Sequence, residues 1–152
     1  MANTFLAAQG TNMGRSLMEA DMCDTARKIL VKASEHGCHI HLPVDGVVAE
    51  DFVKGAKSRV TSNNSLKESE MVLDIGPDSV EQALKILDLC KTVLWNGPMG
   101  AFEMAPFDDA TIQLARHAAK LTRTGALISV AGGGDTVAAL NHAGVADQFS
   151  YL

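Results

Sequence analysis

Apolar side chains recur at helical spacing through residues 16–36, at Met18, Met22, Ala26, Ile29 and Ala33, with Gly37 as the stop. This predicts a long amphipathic helix whose methionine stripe lies in the core. The chain opens, before that, directly into another helix-like run from Met1 to Leu6. In Cys38-His39-Ile40-His41-Leu42 the period falls to two and Pro43 closes the run, predicting a strand. Residues 55–69 are polar and aperiodic, a loop or irregular strand.

From Met71 the order repeats. Residues 71–75 read as a strand, followed by a helix with Val80, Ala83, Leu84 and Leu87 on one face, Asp78 or Ser79 as its cap, and an i,i+4 pair of Glu81 with Lys85. Residues 92–95 form the next strand, 96–108 a loop, and Leu114, Ala115, Ala118 and Leu121 mark a helix. A strand over 126–131, a glycine turn and a helix over 135–143 follow, and Ser150-Tyr151-Leu152 reads as the inside of a further strand. Strands that alternate with helices, some apolar throughout, imply an α/β fold: a Rossmann-like three-layer sandwich, with a mostly parallel sheet flanked by helices.

Composition narrows the function. At 152 residues one domain can hide about 70% of its unfolded surface, enough for a core. The net charge of -5, with Arg15, Arg27, Arg59, Arg116 and Arg123 dispersed, disfavours a nucleic-acid surface, which needs clustered cations. Cys23, Cys38 and Cys90 form no CxxC pair and are odd in number, pointing to a reducing, cytoplasmic setting. No apolar run reaches the ~20 residues that span a membrane.

The sharpest chemical signal is an apolar strand running into Gly132-Gly133-Gly134-Asp135-Thr136 and then a helix. Glycines admit an anion close to backbone N–H groups, and the helix start adds its own free N–H groups and dipole. Asp135 repels bare phosphate, which suggests a Mg2+ ion between the carboxylate and phosphate oxygens. The same residues equally suit a tight turn with a capped helix. A second strand exit, Trp95-Asn96-Gly97-Pro98-Met99-Gly100-Ala101-Phe102-Glu103, offers an amide, two glycines, a flat ring and a carboxylate for a nucleoside, or a plain Pro-Gly turn with a core Trp. His39 and His41 share a strand face, as solvated side chains or as half of a metal site.

Together, Met1-Ala2-Asn3-Thr4-Phe5-Leu6, Leu42-Pro43-Val44-Asp45, Leu73-Asp74-Ile75-Gly76-Pro77, the 95–103 segment and Gly132-Gly133-Gly134-Asp135-Thr136 resemble phosphoglycerate kinases, in that family's order. The resemblance implies reversible phosphoryl transfer between 1,3-bisphosphoglycerate and Mg-ADP, giving 3-phosphoglycerate and Mg-ATP. It implies that Leu17 and Leu73 border the adenine, that Asn96, Pro98 and Ala101 line the path from base to phosphates, and that Glu103 holds the ribose. Asp135 would engage the nucleotide-bound Mg2+, and Gly133, Gly134 and Thr136 would approach the phosphates.

The family's glycine- and lysine-rich segments before the position of Met1, its Ser-Thr-Gly-Gly-Gly stretch after Leu152 and its Arg-rich phosphoglycerate-binding domain are not among these residues. The expectation is therefore a partial C-terminal nucleotide-binding domain, inactive alone, in which 3-phosphoglycerate or 1,3-bisphosphoglycerate binds only with the missing domain. The alternative is a stand-alone nucleotide-binding or regulatory module.

Overall fold

A computed structural model describes all residues, 1–152. The chain divides into two compact units, Met1–Phe52 with Ala56–Ser79, and Val53–Gly55 with Val80–Leu152.

The first unit holds helices α1 (Ala2–Ala8) and α2 (Cys23–Glu35) and strands β1 (Asp45–Ala49), β2 (Ser58–Ser62) and β3 (Met71–Ile75). Its sheet has the order β2-β1-β3, and β1 is antiparallel to both neighbours. This corrects the expected mostly parallel sheet. The linker 50–57 contains no α-helix to carry the chain back across the sheet, so β2 reverses direction against β1, while β3 pairs with the other edge of β1 and runs in the same direction as β2. Leu6, Met13, Val48, Ala49 and Leu66 are buried in this unit.

Two local expectations fail here. Residues 38–42 form no strand, despite their alternation; the strand starts at Asp45, whose neighbours Val48 and Ala49 are buried on β1. The predicted helix over 16–36 begins only at Cys23, after a 3-10 turn at Ala20–Met22, because Ser16 is drawn into the sheet: its Oγ accepts the Val72 N–H at 2.9 Å. Met18, Met22 and Ile29 are 40–44% exposed, and of α2 only Ala26 is buried, where α1 packs. Periodicity identified the apolar stripe but not what covers it. The stop at Gly37 holds: with φ of 66° it lets Cys38 N–H reach Ala33 O at 2.8 Å and Gly37 N–H reach Ser34 O, the paired bonds that close a helix end.

Helix α3 (Pro77–Leu89) starts in the first unit and continues into the second. Neither Asp78 nor Ser79 caps it with its own side chain in the way predicted. The cap comes from Asp45 on β1, whose carboxylate accepts the Asp78 N–H at 3.0 Å and the Ser79 N–H at 2.9 Å. The Glu81–Lys85 pair forms on its exposed face, and the Lys85 ammonium lowers the Glu81 pKa.

The second unit holds β4 (Thr92–Trp95), α4 (Asp109–Arg123), β5 (Ile128–Ala131) and α5 (Gly134–Ala143). Here a helix separates the strands and they pair in parallel, Trp95 opposite Ala131. Tyr151 adds an isolated parallel bridge to Val130, so the predicted strand character near the last residues is present. Trp95, Phe107, Leu114, Ala115, Ala118 and Leu140 belong to a core in which small alanines let α4 and α5 pack closely. The whole is a mixed α/β chain with one small antiparallel sheet and one two-stranded parallel sheet. No helix is long and apolar enough to cross a membrane.

Candidate functional site

Parallel pairing of β4 with β5 brings the carboxyl ends of both strands to one edge, where open α/β sheets receive ligands. Gly132 N–H donates to Trp95 O at 3.3 Å, so the ladder runs one residue past the strands and then opens. Beyond it stand Asn96 and residues 132–135, all exposed.

Gly133 has φ of 95° and ψ of 143°, a conformation reserved for glycine, and this turn swings the chain from β5 into α5. The first intrahelical bond runs from Val137 N–H to Gly133 O, leaving the Gly134, Asp135 and Thr136 amides without partners inside the helix. No side chain caps α5. The reading of Asp135 or Thr136 as a simple cap therefore loses its support, and the free amides with the dipole suit an anion. The exposed Asp135 carboxylate lies in that same first turn, an oxygen donor suited to a hard divalent cation held with phosphate oxygens.

The second predicted segment joins the first. Asn96 Oδ1 would lie 3.7 Å from a Cβ placed on Gly133, and Gly97 N–H donates to Thr136 Oγ1 at 2.8 Å. Trp95 is buried and its Nε1–H donates to Gly97 O at 2.7 Å, which folds the strand exit back over the ring. Pro98 and Ala101 are half-buried and Glu103 is exposed in the turns that follow, where Met104 N–H bonds to Ala101 O at 2.9 Å. Phe107, fully buried, anchors the far end of the loop.

Asn96, Gly133, Gly134, Asp135 and Thr136 thus stand together in the second unit, with Pro98, Ala101 and Glu103 on the adjoining loop. Leu17, 91% exposed, and half-buried Leu73 belong to the first unit. Thr136 is 1% exposed, and its hydroxyl accepts the Gly97 N–H. Thr111, which no sequence argument singled out, does the same one step further on, accepting the Met99 N–H at 3.0 Å. A threonine inside a helical pattern carries no local signal of such a distant bond. His39 and His41 are exposed, with ring centroids 6.2 Å apart, and no group of three or more His, Cys, Asp or Glu in the chain could hold a metal ion.

Residues 1–152 match the family model described as "Phosphoglycerate kinase". A phosphoglycerate kinase of Xanthobacter autotrophicus is 60% identical over the whole chain, and that of Agrobacterium fabrum 55%, in each case over 38% of the relative. Among solved structures, the phosphoglycerate kinase of Coxiella burnetii superposes with a TM-score of 0.94 at 39% identity, covering 99% of this chain and 38% of that one. The one from Pyrococcus horikoshii gives 0.79 at 25% identity, covering 99% and 37%. The chain thus spans about two fifths of the length of the proteins it matches.

Proposed function

Given that the chain belongs to the phosphoglycerate kinase family, we propose that it is the C-terminal, nucleotide-binding part of such an enzyme and holds Mg-ADP or Mg-ATP at the β4–β5 edge. The observation that carries this reading is the junction of Asn96 and Gly97 with Gly133 and Thr136, which unites a nucleoside-type loop and a phosphate-type helix start on one edge. The Gly134, Asp135 and Thr136 amides receive the phosphate oxygens. Glu103 accepts hydrogen bonds from the ribose hydroxyls, and Pro98 and Ala101 flank the nucleotide's path. Asp135 would hold Mg2+, which neutralises charge on the phosphates and on the group in transit.

In the complete reaction the phosphoryl group leaves the carboxyl oxygen of 1,3-bisphosphoglycerate and bonds to the terminal phosphate oxygen of ADP, reversibly. Catalysis of this kind depends on alignment and charge stabilisation, and needs no covalent step by the protein. The dispersed arginines of residues 1–152 make no pocket for the acyl phosphate, so these residues alone hold nucleotide and transfer negligibly. The setting is cytoplasmic glycolysis.

The test is calorimetric titration of the folded chain with ADP, with and without Mg2+. Binding is expected to be weak, to strengthen with Mg2+, and to lose that Mg2+ dependence in Asp135→Asn, since a neutral amide is a poor ligand for a hard cation. No heat up to millimolar nucleotide refutes the proposal.

A further inference from the structure

Thr111 and Thr136 occupy the same place in two different helices, the third residue of α4 and of α5. Each is 1% exposed. A threonine in a first helical turn commonly spends its hydroxyl on nearby backbone of its own helix. These two accept N–H groups of the loop between β4 and α4: Gly97 at 2.8 Å on Thr136 and Met99 at 3.0 Å on Thr111. Pro98, between them, has no N–H to satisfy. Over residues 97–99 every backbone donor is thus either absent or held by a buried hydroxyl.

The choice of threonine has a physical reason. Branching at Cβ leaves threonine two common χ1 rotamers within a helix, so the hydroxyl has few positions open to it. The two bonds transfer the rigidity of α4 and α5 to a loop that has no regular structure. They hold Asn96 beside Gly133 and fix the loop that leads to Glu103.

We propose that Thr111 and Thr136 are positioning residues that preorganise the 96–103 loop against the start of α5 for nucleotide binding, and that the Thr136 hydroxyl acts through Gly97 rather than by touching the ligand. This rests on the nucleotide reading above. Without the two hydroxyls the loop would have to be ordered by the ligand, at a cost in affinity.

The test uses the whole chain with Thr136→Val, Thr111→Val and the corresponding serine variants, followed by Mg-ADP titration, thermal melting and residue-resolved amide exchange. Each valine variant should weaken Mg-ADP binding about fivefold to tenfold, the factor that corresponds to losing one neutral hydrogen bond. Exchange should accelerate at Gly97 for Thr136→Val and at Met99 for Thr111→Val. Serine, which keeps the oxygen, should restore both readouts. Folded valine variants with faster exchange but wild-type affinity would reduce the threonines to scaffold and overturn the proposal; unchanged exchange would overturn it too. If Thr136→Val does not fold, Thr111→Val, in a separate helix, decides alone. Absence of binding by the wild-type chain refutes the nucleotide reading and this role with it, whereas wild-type binding with unaffected variants refutes only the positioning role.

Discussion

Replacing Asp45 by Asn should destabilise the first unit by about 2 kcal/mol, although the two side chains have nearly the same shape. Asp45 is 5% exposed and its two carboxylate oxygens divide their work: Oδ1 accepts the Ser79 N–H and the Ser79 hydroxyl, while Oδ2 accepts the Asp78 N–H at 3.0 Å. Ser79 Oγ in turn accepts the Val44 and Asp45 N–H groups at 3.0 and 3.2 Å, so one latch ties β1 to the first turn of α3. An asparagine can keep only one oxygen in place; its amide nitrogen then faces the Asp78 N–H, donor against donor. The loss is one hydrogen bond to a carboxylate, about 1.5–3 kcal/mol, together with the favourable charge at the helix N-terminus. For a chain of this length the melting temperature should fall by about 4–8 °C.

The assay is thermal melting by far-UV circular dichroism, joined to amide exchange at Asp78 and Ser79; Trp95 fluorescence reports on the second unit and serves as the internal control. Ser79→Ala should cost less, and the double variant less than the sum, since both changes break the same bonds. Gly76→Ala provides an approach from the other side, because its Cβ would stand 2.2 Å from the Asp45 carboxylate and must push it out of the latch. An Asp45→Asn protein that melts within about 1 °C of wild type, with Asp78 and Ser79 still protected, would show that the carboxylate does not cap α3.

Gly133→Ala should destabilise the second unit by about 1–3 kcal/mol, because a residue with a Cβ is strained at φ of 95°, whereas Gly134→Ala, with open space around it, should be neutral or slightly stabilising; comparison of Trp95-monitored denaturation curves decides. Glu70 is held by the Arg59 guanidinium at 2.8 and 2.7 Å and by the Lys67 N–H, which lowers its pKa from 4.5 to about 2. A folded-state pKa below the unfolded one means the pair stabilises above pH 4.5 and fades as pH falls toward about 2. Melting temperatures over that window should therefore converge for wild type and Glu70→Gln, and a constant gap would refute the ion-pair account.

Much of this was legible in the sequence where the determinant is local. The helix stop at Gly37, the strands at 71–75 and 92–95 and the helix carrying Leu114 and Ala118 follow from turn chemistry and periodicity, which act over a few residues. So does the coupling of a glycine turn to a helix start at 132–136, since it needs only the order of residues along the chain. The alternation at 38–42 shows the weakness of the same signal: a strand also needs a neighbour to pair with, and periodicity contains no partner.

What only the tertiary structure decided depends on residues far apart in sequence. Strand direction in the β2-β1-β3 sheet follows from which strands pair, β2 and β3 each running against the central β1, and that pairing becomes evident only once β2 is known to be a strand. The cap of α3 comes from Asp45, more than thirty positions upstream, and the roles of Thr111 and Thr136 rest on bonds to a loop twelve and thirty-nine positions away. Residue type announces a hydroxyl or a carboxylate; the fold alone selects its partner, because a hydrogen bond needs a distance near 3 Å that no pattern of letters encodes.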